Sequence, residues 1–246
     1  NLPMILIKGN TFTMGQVGVA TPEHNVTLIH DFFIGQHEVT QNQYRTVMLG
    51  NNRALNATPS TGVYRGNQPV VNVSWDDVQI FLSRLNTMEQ EHGKLGNGWK
   101  YTLPTEAEWE YACRAGNTRR FCFGDEGEKL AEFANIADAS WHERFPNPKA
   151  IKAKDGHVFA APVGQFKPNN FGVYDMHGNV WEWCEDVYAK SASSTQQAST
   201  GNDGARVLRG GGWNDGASYC RSAFRLSSAP GVAIFSSGFR VARTSE

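Results

Sequence analysis

Residues 206–243 read RVLRGGGWNDGASYCRSAFRLSSAPGVAIFSSGFRVAR and combine a patterned frame with an unpatterned interior. In the frame, at 206–213 and 238–243, apolar residues are mixed with Arg and Gly, as in strands whose backbones approach closely. In the interior, 214–237, apolar residues follow neither the period of a strand nor that of a helix. A loop-rich segment with this many large apolar groups is either a buried plug or a binding surface.

The composition of the interior also differs from that of the rest of the chain. Its 24 positions contain no Lys, Glu, Gln, Met or Trp, although all five residue types occur elsewhere in the sequence. In one interpretation the absence is accidental, because the interior is a short loop rich in Gly and Ser. In the other, the residues at these positions are drawn from a restricted set.

The whole chain has the composition of an ordinary globular protein. Its 246 residues suffice for one large domain or two small ones with a real hydrophobic core. No apolar run approaches the ~20 residues that a transmembrane helix needs. The formal net charge is −1 and the basic clusters are short, which argues against nucleic-acid binding.

The cysteines and histidines do not form a recognisable metal or redox motif. No CxxC spacing is present, so zinc ribbons and thioredoxin chemistry are excluded. The seven histidines show no HExxH or paired spacing. Either two disulfides or buried free thiols are compatible with the four cysteines, which are Cys113, Cys122, Cys184 and Cys220.

The N-terminal part of the chain predicts short strands and then a helix. Residues 4–8 and 11–15 predict a hairpin that turns at Gly9 and Asn10. Residues 26–40 predict a second extended pair. Thr40 and Gln43 form a capping box, which predicts that a helix begins there.

Two further helices have clear start and stop signals. One follows a cap at Ser74 or Asp76 and ends at Gly93, and the other follows Thr105 and ends at Gly116. Polar stretches at 50–68 and 189–203 predict loops. From 121 to 165 the apolar residues follow neither a helical nor a strand period over any length. An irregular stretch this long inside a compact domain needs something else to hold its conformation, such as a bound metal.

Seven stretches identify a known family by their content and order. They resemble the landmarks of the formylglycine-generating-enzyme, or sulfatase-modifying factor, family over nearly the whole chain. The resemblance implies a single domain over 1–246 with an α+β, C-type-lectin-like fold, in which two main helices accompany short β-sheets and much irregular loop. The stretches are MILIKGNTFTMG, EVTQNQYRTVM, QPVVNVSWDDVQIFLSRLN, YTLPTEAEWEYACRAG, APVGQFKPNNFGVYDMHGNVWEWCED, RVLRGGGW and GFRVAR.

The resemblance also implies two structural calcium sites. Calcium takes six to eight oxygen ligands, and carboxylates, amides and backbone carbonyls all serve. The alternative is that Asp175 and Glu182 are merely turn and surface carboxylates. The first implied set is Asn135, Ile136, Asp155 and His157, and the second is Asp175, Gly178, Val180 and Glu182.

Two cysteines that hold copper carry the oxidase activity of the enzymes in this family. The second of them corresponds to Cys220, whereas the first corresponds to Asp215. A carboxylate is a hard ligand that cannot replace a thiolate in Cu(I) binding or in thiol redox chemistry. The sequence therefore predicts that the protein is not an enzyme and binds no copper, with a copper-dependent oxidase acting on a protein cysteine as the alternative.

The interior resembles the diversified segment of one branch of the family, the variable proteins of diversity-generating retroelements, and in particular the treponemal variable surface lipoprotein type. In that branch adenines of AAY codons are randomised, and such codons cannot encode Lys, Glu, Gln, Met or Trp. These are the five types that the interior lacks. The resemblance implies a ligand-binding face, with 206–243 as the variable segment.

The resemblance implies that fifteen residues of this segment form the binding face and point to solvent. Beneath them, the side chains of four residues anchor the loops, which are Trp213, Arg221, Arg225 and Arg240. The resemblance implies that the ligand is an unknown protein or cell-surface molecule. It also implies that this chain is a bacterial monomer that lies at the cell surface or outside the cell. A lipid anchor would lie on an N-terminal segment absent from this sequence. The fifteen residues are Asn214, Asp215, Gly216, Ser218, Tyr219, Phe224, Leu226, Ser227, Ser228, Gly231, Val232, Ala233, Ile234, Phe235 and Ser236.

Overall fold

The computed structural model describes residues 2–19, 22–48, 65–146, 148–189 and 204–245. Most of the loops predicted at 50–68 and 189–203 lie outside these ranges. In chain order, the elements are β1 (Met4–Ile7), β2 (Thr11–Met14), β3 (His24–Thr27), β4 (Phe32–Gly35), α1 (Gln41–Met48), α2 (Trp75–Glu91), β5 (Trp99–Thr102), α3 (Glu106–Arg114), a 3-10 helix (Gly127–Glu132), α4 (Ala139–Arg144), β6 (Trp181–Val187), β7 (Arg206–Arg209), β8 (Leu226–Ser228), β9 (Ser237–Gly238) and β10 (Ala242–Ser245).

The strands form small sheets that bring distant parts of the chain together. One sheet has the order β1-β4-β10-β5, so the C-terminal strand β10 lies between two strands from the first half of the chain. A second sheet contains β2 and β3, and a third has the order β8-β7-β6-β9. In the third sheet, β7 precedes the interior of the C-terminal segment and β9 begins at its last residue.

The hairpin predicted over 4–15 is wrong, and so is the pairing within 26–40. β1 pairs with β4 and β2 pairs with β3, both antiparallel. The physical reason lies at Gly9, where the chain passes from one sheet to the other instead of turning back. A Cβ at Gly9 would lie 2.5 Å from the carbonyl oxygen of Leu28, so this backbone packs against the connection between β3 and β4.

The helix starts agree with the predicted caps. Ser74, and not Asp76, caps α2, since its hydroxyl accepts a bond from Asp77 N at 3.1 Å while the Asp77 carboxylate accepts from Ser74 N at 2.9 Å. Thr105 and Glu108 form the same reciprocal pair at the start of α3. No helix in the described ranges has the length and apolarity of a membrane span.

The largest hydrophobic core lies between α1, α2 and the frame of the C-terminal segment. Tyr44 stacks on Phe81 at 5.4 Å between ring centroids, and Phe239 meets Phe81 edge-on at 5.1 Å. Phe239 follows β9 directly. The position of the frame is therefore fixed by the main core.

Candidate functional site

Strand β6 supports both ends of the C-terminal interior. β7 pairs with it antiparallel, while β9 pairs with it in parallel, Trp181 opposite Ser237. Gly211 permits the sharp departure from β7 because its φ is +80° and a Cβ there would lie 2.5 Å from Cys220 Sγ. The interior is thus held at its two ends by one central strand.

Two predicted anchors lie beneath the interior with their polar groups satisfied. Trp213 is 1% exposed, and its backbone N–H donates to Asn179 O at 3.0 Å. The buried guanidinium of Arg225 donates to both carboxylate oxygens of Glu106, at 2.5 and 2.7 Å. Because Glu106 begins α3, this pair connects the interior to the helix.

Arg240 is the third buried anchor, whereas Arg221 does not fit the prediction. Arg240 donates to both oxygens of Glu182 at 2.6 Å, in a fully buried pair. Arg221 is only half-buried as a whole, although its Nε atom is buried, and within the described residues it forms no salt bridge with a carboxylate. We therefore place Arg221 at the edge of the face and not below it.

The fifteen implied binding residues differ in how much of each reaches solvent. Five are exposed, which are Ser218, Leu226, Gly231, Val232 and Phe235. Eight are half-buried, which are Asn214, Asp215, Tyr219, Phe224, Ser227, Ser228, Ala233 and Ile234. Two are buried, Gly216 and Ser236.

The prediction that all fifteen residues point to solvent is wrong for Gly216 and Ser236. A Cβ at Gly216 would lie 2.7 Å from the carbonyl oxygen of Lys149, so a neighbouring loop covers this position. Ser236 accepts a bond from Trp181 N at 2.9 Å through its carbonyl, just before β9 begins. These two positions belong to the support of the face.

The large apolar side chains of the interior form two groups, one packed against the core and one exposed to solvent. Tyr219, Phe224 and Ile234 pack against the main core, and Tyr219 meets Phe224 edge-on at 5.0 Å between ring centroids. Val232 and Phe235 are 46% and 49% exposed. Both structural interpretations of the interior therefore apply, each to different residues.

Asp215 connects the face to the scaffold. Its Oδ2 accepts bonds from Trp181 Nε1 at 2.8 Å and from Gly212 N at 3.1 Å, and its carbonyl accepts from Ala137 N at 2.9 Å. Burial raises the pKa of this carboxyl despite those two bonds. The carboxylate thus stabilises the loop from within and presents only part of itself to a ligand.

Cys220 lies in an environment that suits a structural thiol. It is fully buried, and burial raises its pKa well above the ordinary value, with the nearby Asp215 carboxylate raising it further. All four cysteines are buried and free, so the disulfide alternative is not realised. Thiol redox and Cu(I) chemistry require thiolates, and this environment disfavours one.

The residues of the first implied calcium set lie together. Asp155 accepts bonds from Ile136 N at 3.0 Å and from His157 N at 2.8 Å. Burial raises the pKa of Asp155 to about 7. Asn135 Oδ1 is buried without a hydrogen-bond partner among the described residues, and each Asp155 oxygen keeps a second lone pair, so this set fits a hard cation.

The second implied set fits only in part. Gly178 and Val180 are buried with Asp175 in the loop that leads into β6. Asp175 Oδ1 has no partner among the described residues, but the carboxylate of Glu182 is already engaged. Arg240 binds both of its oxygens, and Trp109 Nε1 donates to Oε2 at 2.7 Å. Glu182 therefore does not fit the role of a calcium ligand in this chain.

A buried carboxylate that the sequence did not reveal lies beside the second set. Glu38 precedes α1 and is 0% exposed. Burial raises its pKa well above the ordinary value, and the neighbouring carboxylates of Asp175 and Glu182 raise it further. The described residues contain no group of three or more His, Cys, Asp or Glu side chains that could hold a metal, so any ion here needs amide or carbonyl ligands too.

The chain is an α+β protein with the C-type-lectin-like fold of the formylglycine-generating-enzyme type. This fold is defined by few helices, small sheets and long loops around a frame built on β6. The profile of the sulfatase-modifying factor enzyme 1-like domain matches residues 2–245. The chain belongs to this family.

Its sequence relatives include enzymes and an inactive protein. It is 38% identical over 190 residues to the formylglycine-generating enzyme of Streptomyces coelicolor, covering 74% of this chain and 54% of that protein. It is 34% identical over 195 residues to the inactive C-alpha-formylglycine-generating enzyme 2 of Mus musculus, covering 76% of this chain and 53% of that protein. The chain spans about half the length of these curated relatives.

Two solved structures resemble the chain over almost its full length. PvdO from Pseudomonas aeruginosa superposes with a TM-score of 0.79 at 30% identity, covering 98% of this chain and 93% of that one. Treponema denticola variable protein 1 superposes with a TM-score of 0.77 at 27% identity, covering 97% and 94%. A variable protein is therefore among its structural neighbours, in agreement with the resemblance of the sequence to that branch of the family.

Proposed function

We propose that this chain is a non-catalytic ligand-binding protein that displays a diversified site on its C-terminal segment. The observation that carries the proposal is the division within 206–243. The frame is buried, and the buried anchors Trp213, Arg225 and Arg240 hold the loops in place, while the interior lacks five residue types and includes exposed side chains such as Val232 and Phe235. Such a division allows the interior to change without loss of the scaffold.

The chemistry of the exposed positions favours a protein ligand or a cell-surface molecule. Val232, Phe235 and Leu226 offer exposed apolar surface, and the serines beside them offer hydroxyl groups. Aromatic anchors with small polar neighbours are a common composition for binding surfaces. In this proposal the protein lies at the bacterial cell surface or outside the cell, with calcium at Asn135 and Asp155 stiffening the scaffold.

A copper-dependent oxidase is the second candidate, because the chain resembles a formylglycine-generating enzyme at 38% identity. Two observations weigh against it. Asp215 stands where the resemblance places the first copper ligand, and its carboxylate is engaged by Trp181 and Gly212. Cys220 lies in surroundings that raise its thiol pKa.

A copper titration separates the two functions. The purified protein is mixed with Cu(I) and a cysteine-containing peptide, beside the variant Asp215→Cys, which restores the missing thiol. We expect neither tight Cu(I) binding nor peptide oxidation by the native chain, since a carboxylate does not replace a thiolate. Tight copper binding with oxidation of the peptide by the native chain would overturn the proposal.

A further inference from the structure

A row of aromatic rings from another part of the chain continues the C-terminal face. Trp141 lies on α4 and Phe145 follows that helix directly, and their ring centroids are 4.6 Å apart. Phe159 meets both rings edge-on, at 6.2 Å from each. Trp141 and Phe159 also pack against the cluster that contains Trp213. Since the Trp213 ring meets Phe235 edge-on at 5.9 Å, the aromatic contacts continue from Phe145 to the interior.

The two ends of this row are open to solvent. Phe145 is 40% exposed and Phe235 is 49% exposed, whereas Trp213 is buried. Exposed apolar surface of this kind, next to polar groups, is typical of interaction sites. Only Phe235 belongs to the segment proposed to vary. Phe145 lies outside 206–243 and therefore belongs to the constant part of the chain.

Lys149 brings a positive charge from the constant part of the chain to the interior. Its ammonium group lies over the Tyr219 ring, 5.4 Å from the centroid, and its Nζ is 3.5 Å from the Tyr219 hydroxyl. Its carbonyl oxygen covers Gly216. The interior itself contains no Lys. Lys149 is exposed, so its charge can act on a ligand that lies on Tyr219.

A second exposed base lies at the far end of the row. The Arg144 guanidinium lies over the Phe145 ring, 5.7 Å from the centroid. Residues 139–154 contain four Lys and Arg residues but one acidic residue, Glu143, which pairs with Lys154 at 2.6 Å. The exposed charge beside the row is therefore positive, which favours an acidic partner.

We propose that Trp141, Phe145 and Lys149 form a constant half of the binding face. The ligand is an acidic segment of another protein that carries an apolar side chain beside its carboxylates. The apolar side chain lies on Phe145 and Phe235, and the carboxylates pair with Lys149 and Arg144. Aromatic anchors supply affinity, whereas charges at the rim steer the partner. The inference rests on the proposed function, because it names the chemistry of the ligand that the same face binds.

Peptide selection tests the constant half of the face. A random-peptide phage library is selected against the native chain, and calorimetry gives the affinities of the selected peptides for the native chain and its variants. We expect peptides in which Asp or Glu flanks an apolar residue. Phe145→Ala should weaken their binding about 10-fold or more, as truncation of an anchor does. Lys149→Gln should weaken binding chiefly at low salt, because salt screens exposed charges.

Two exposed positions in the N-terminal part of the chain provide matched controls. Ile29→Ala removes an apolar side chain that is 79% exposed, and Lys8→Gln removes a surface charge that pairs with Asp31. Neither variant should change peptide binding. Circular dichroism shows whether Phe145→Ala is folded. If it is not, Phe145→Leu is measured instead, since it removes the ring and keeps an apolar side chain against Trp141.

The outcomes separate this inference from the proposed function. Acidic peptides that lose affinity in both Phe145→Ala and Phe235→Ala support both. Peptides that need Phe235 but bind the Phe145 variant as tightly as the native chain would overturn the inference and leave the proposed function intact. Acidic peptides that need Phe145 but not Phe235 would support the acidic ligand and contradict the proposed function. Selection of no acidic peptide, with or without binding to phosphatidylserine vesicles, would overturn the inference.

Discussion

At the scale of single residues, the same interior contains both support and surface. Trp213 was predictable as an anchor, because it closes the RGGGW landmark and the structure buries it. The burial of Gly216 was not predictable from the sequence, because it depends on contact with Lys149 in a distant loop. A sequence pattern reports which residues are apolar, whereas contact with a remote backbone has no local signal.

Alanine variants at two aromatic positions should differ widely in stability. Trp213→Ala should lower the free energy of unfolding by about 3–5 kcal/mol, because a large buried ring leaves a cavity. Phe235→Ala should cost less than ~1 kcal/mol, since its ring is 49% exposed. Urea denaturation of both variants measures the difference. Equal losses would show that Phe235 is part of the core and not of the face.

Two arginines of the interior provide a matched comparison. Arg225→Met should cost about 3 kcal/mol, because it removes the two-bond partner of the buried Glu106 carboxylate, which then keeps only Arg209 Nε at 3.6 Å. Arg221→Met should change stability by less than ~1 kcal/mol, since Arg221 is half-buried. If both variants lose the same stability in chemical denaturation, our distinction between anchor and edge is incorrect.

At the scale of elements, the helices were predictable and the strand pairing was not. A capping box is complete within four residues, so Ser74 with Asp77 and Thr105 with Glu108 carry their own signal. The pairing of β1 with β4 depends on where the chain crosses between sheets at Gly9. Alternating apolar residues identify a strand but do not name its partner.

The start of α3 should make stability depend on pH through Asp186. Its Oδ2 accepts the N–H of Glu106 at 2.6 Å, and burial raises its pKa from 3.8 to about 6. The folded chain therefore holds this proton more tightly than the unfolded chain. Stability should fall as the pH rises from about 4 to about 6, by up to roughly 3 kcal/mol from this group.

Asp186→Asn isolates that contribution. Asn keeps an acceptor for the Glu106 N–H but does not titrate, so the variant should lose less stability than the native chain between pH 4 and pH 6. Urea midpoints measured across this range provide the comparison. The same slope in both proteins would mean that Asp186 does not hold its proton in the folded state.

At the scale of the whole molecule, the seven landmarks predicted the family and the fold, and the resemblance to a variable protein is confirmed by one among the structural neighbours. The contact between the buried carboxyl groups of Glu38 and Asp175 could not be predicted from the sequence. Glu38 and Asp175 are far apart in the chain, and only folding brings them to the same buried place. Sites assembled from distant segments require the structure, even when each residue lies in a familiar motif.

Sequencing this locus from several isolates tests the central claim most directly, because diversification of a binding face leaves a pattern that no fixed subunit or enzyme shares. We predict substitutions confined to 214–236, concentrated at exposed and half-buried positions such as Val232 and Phe235, with Trp213, Arg225 and Arg240 unchanged. An interior that is identical in all isolates, or substitutions spread evenly over the scaffold, would contradict the account.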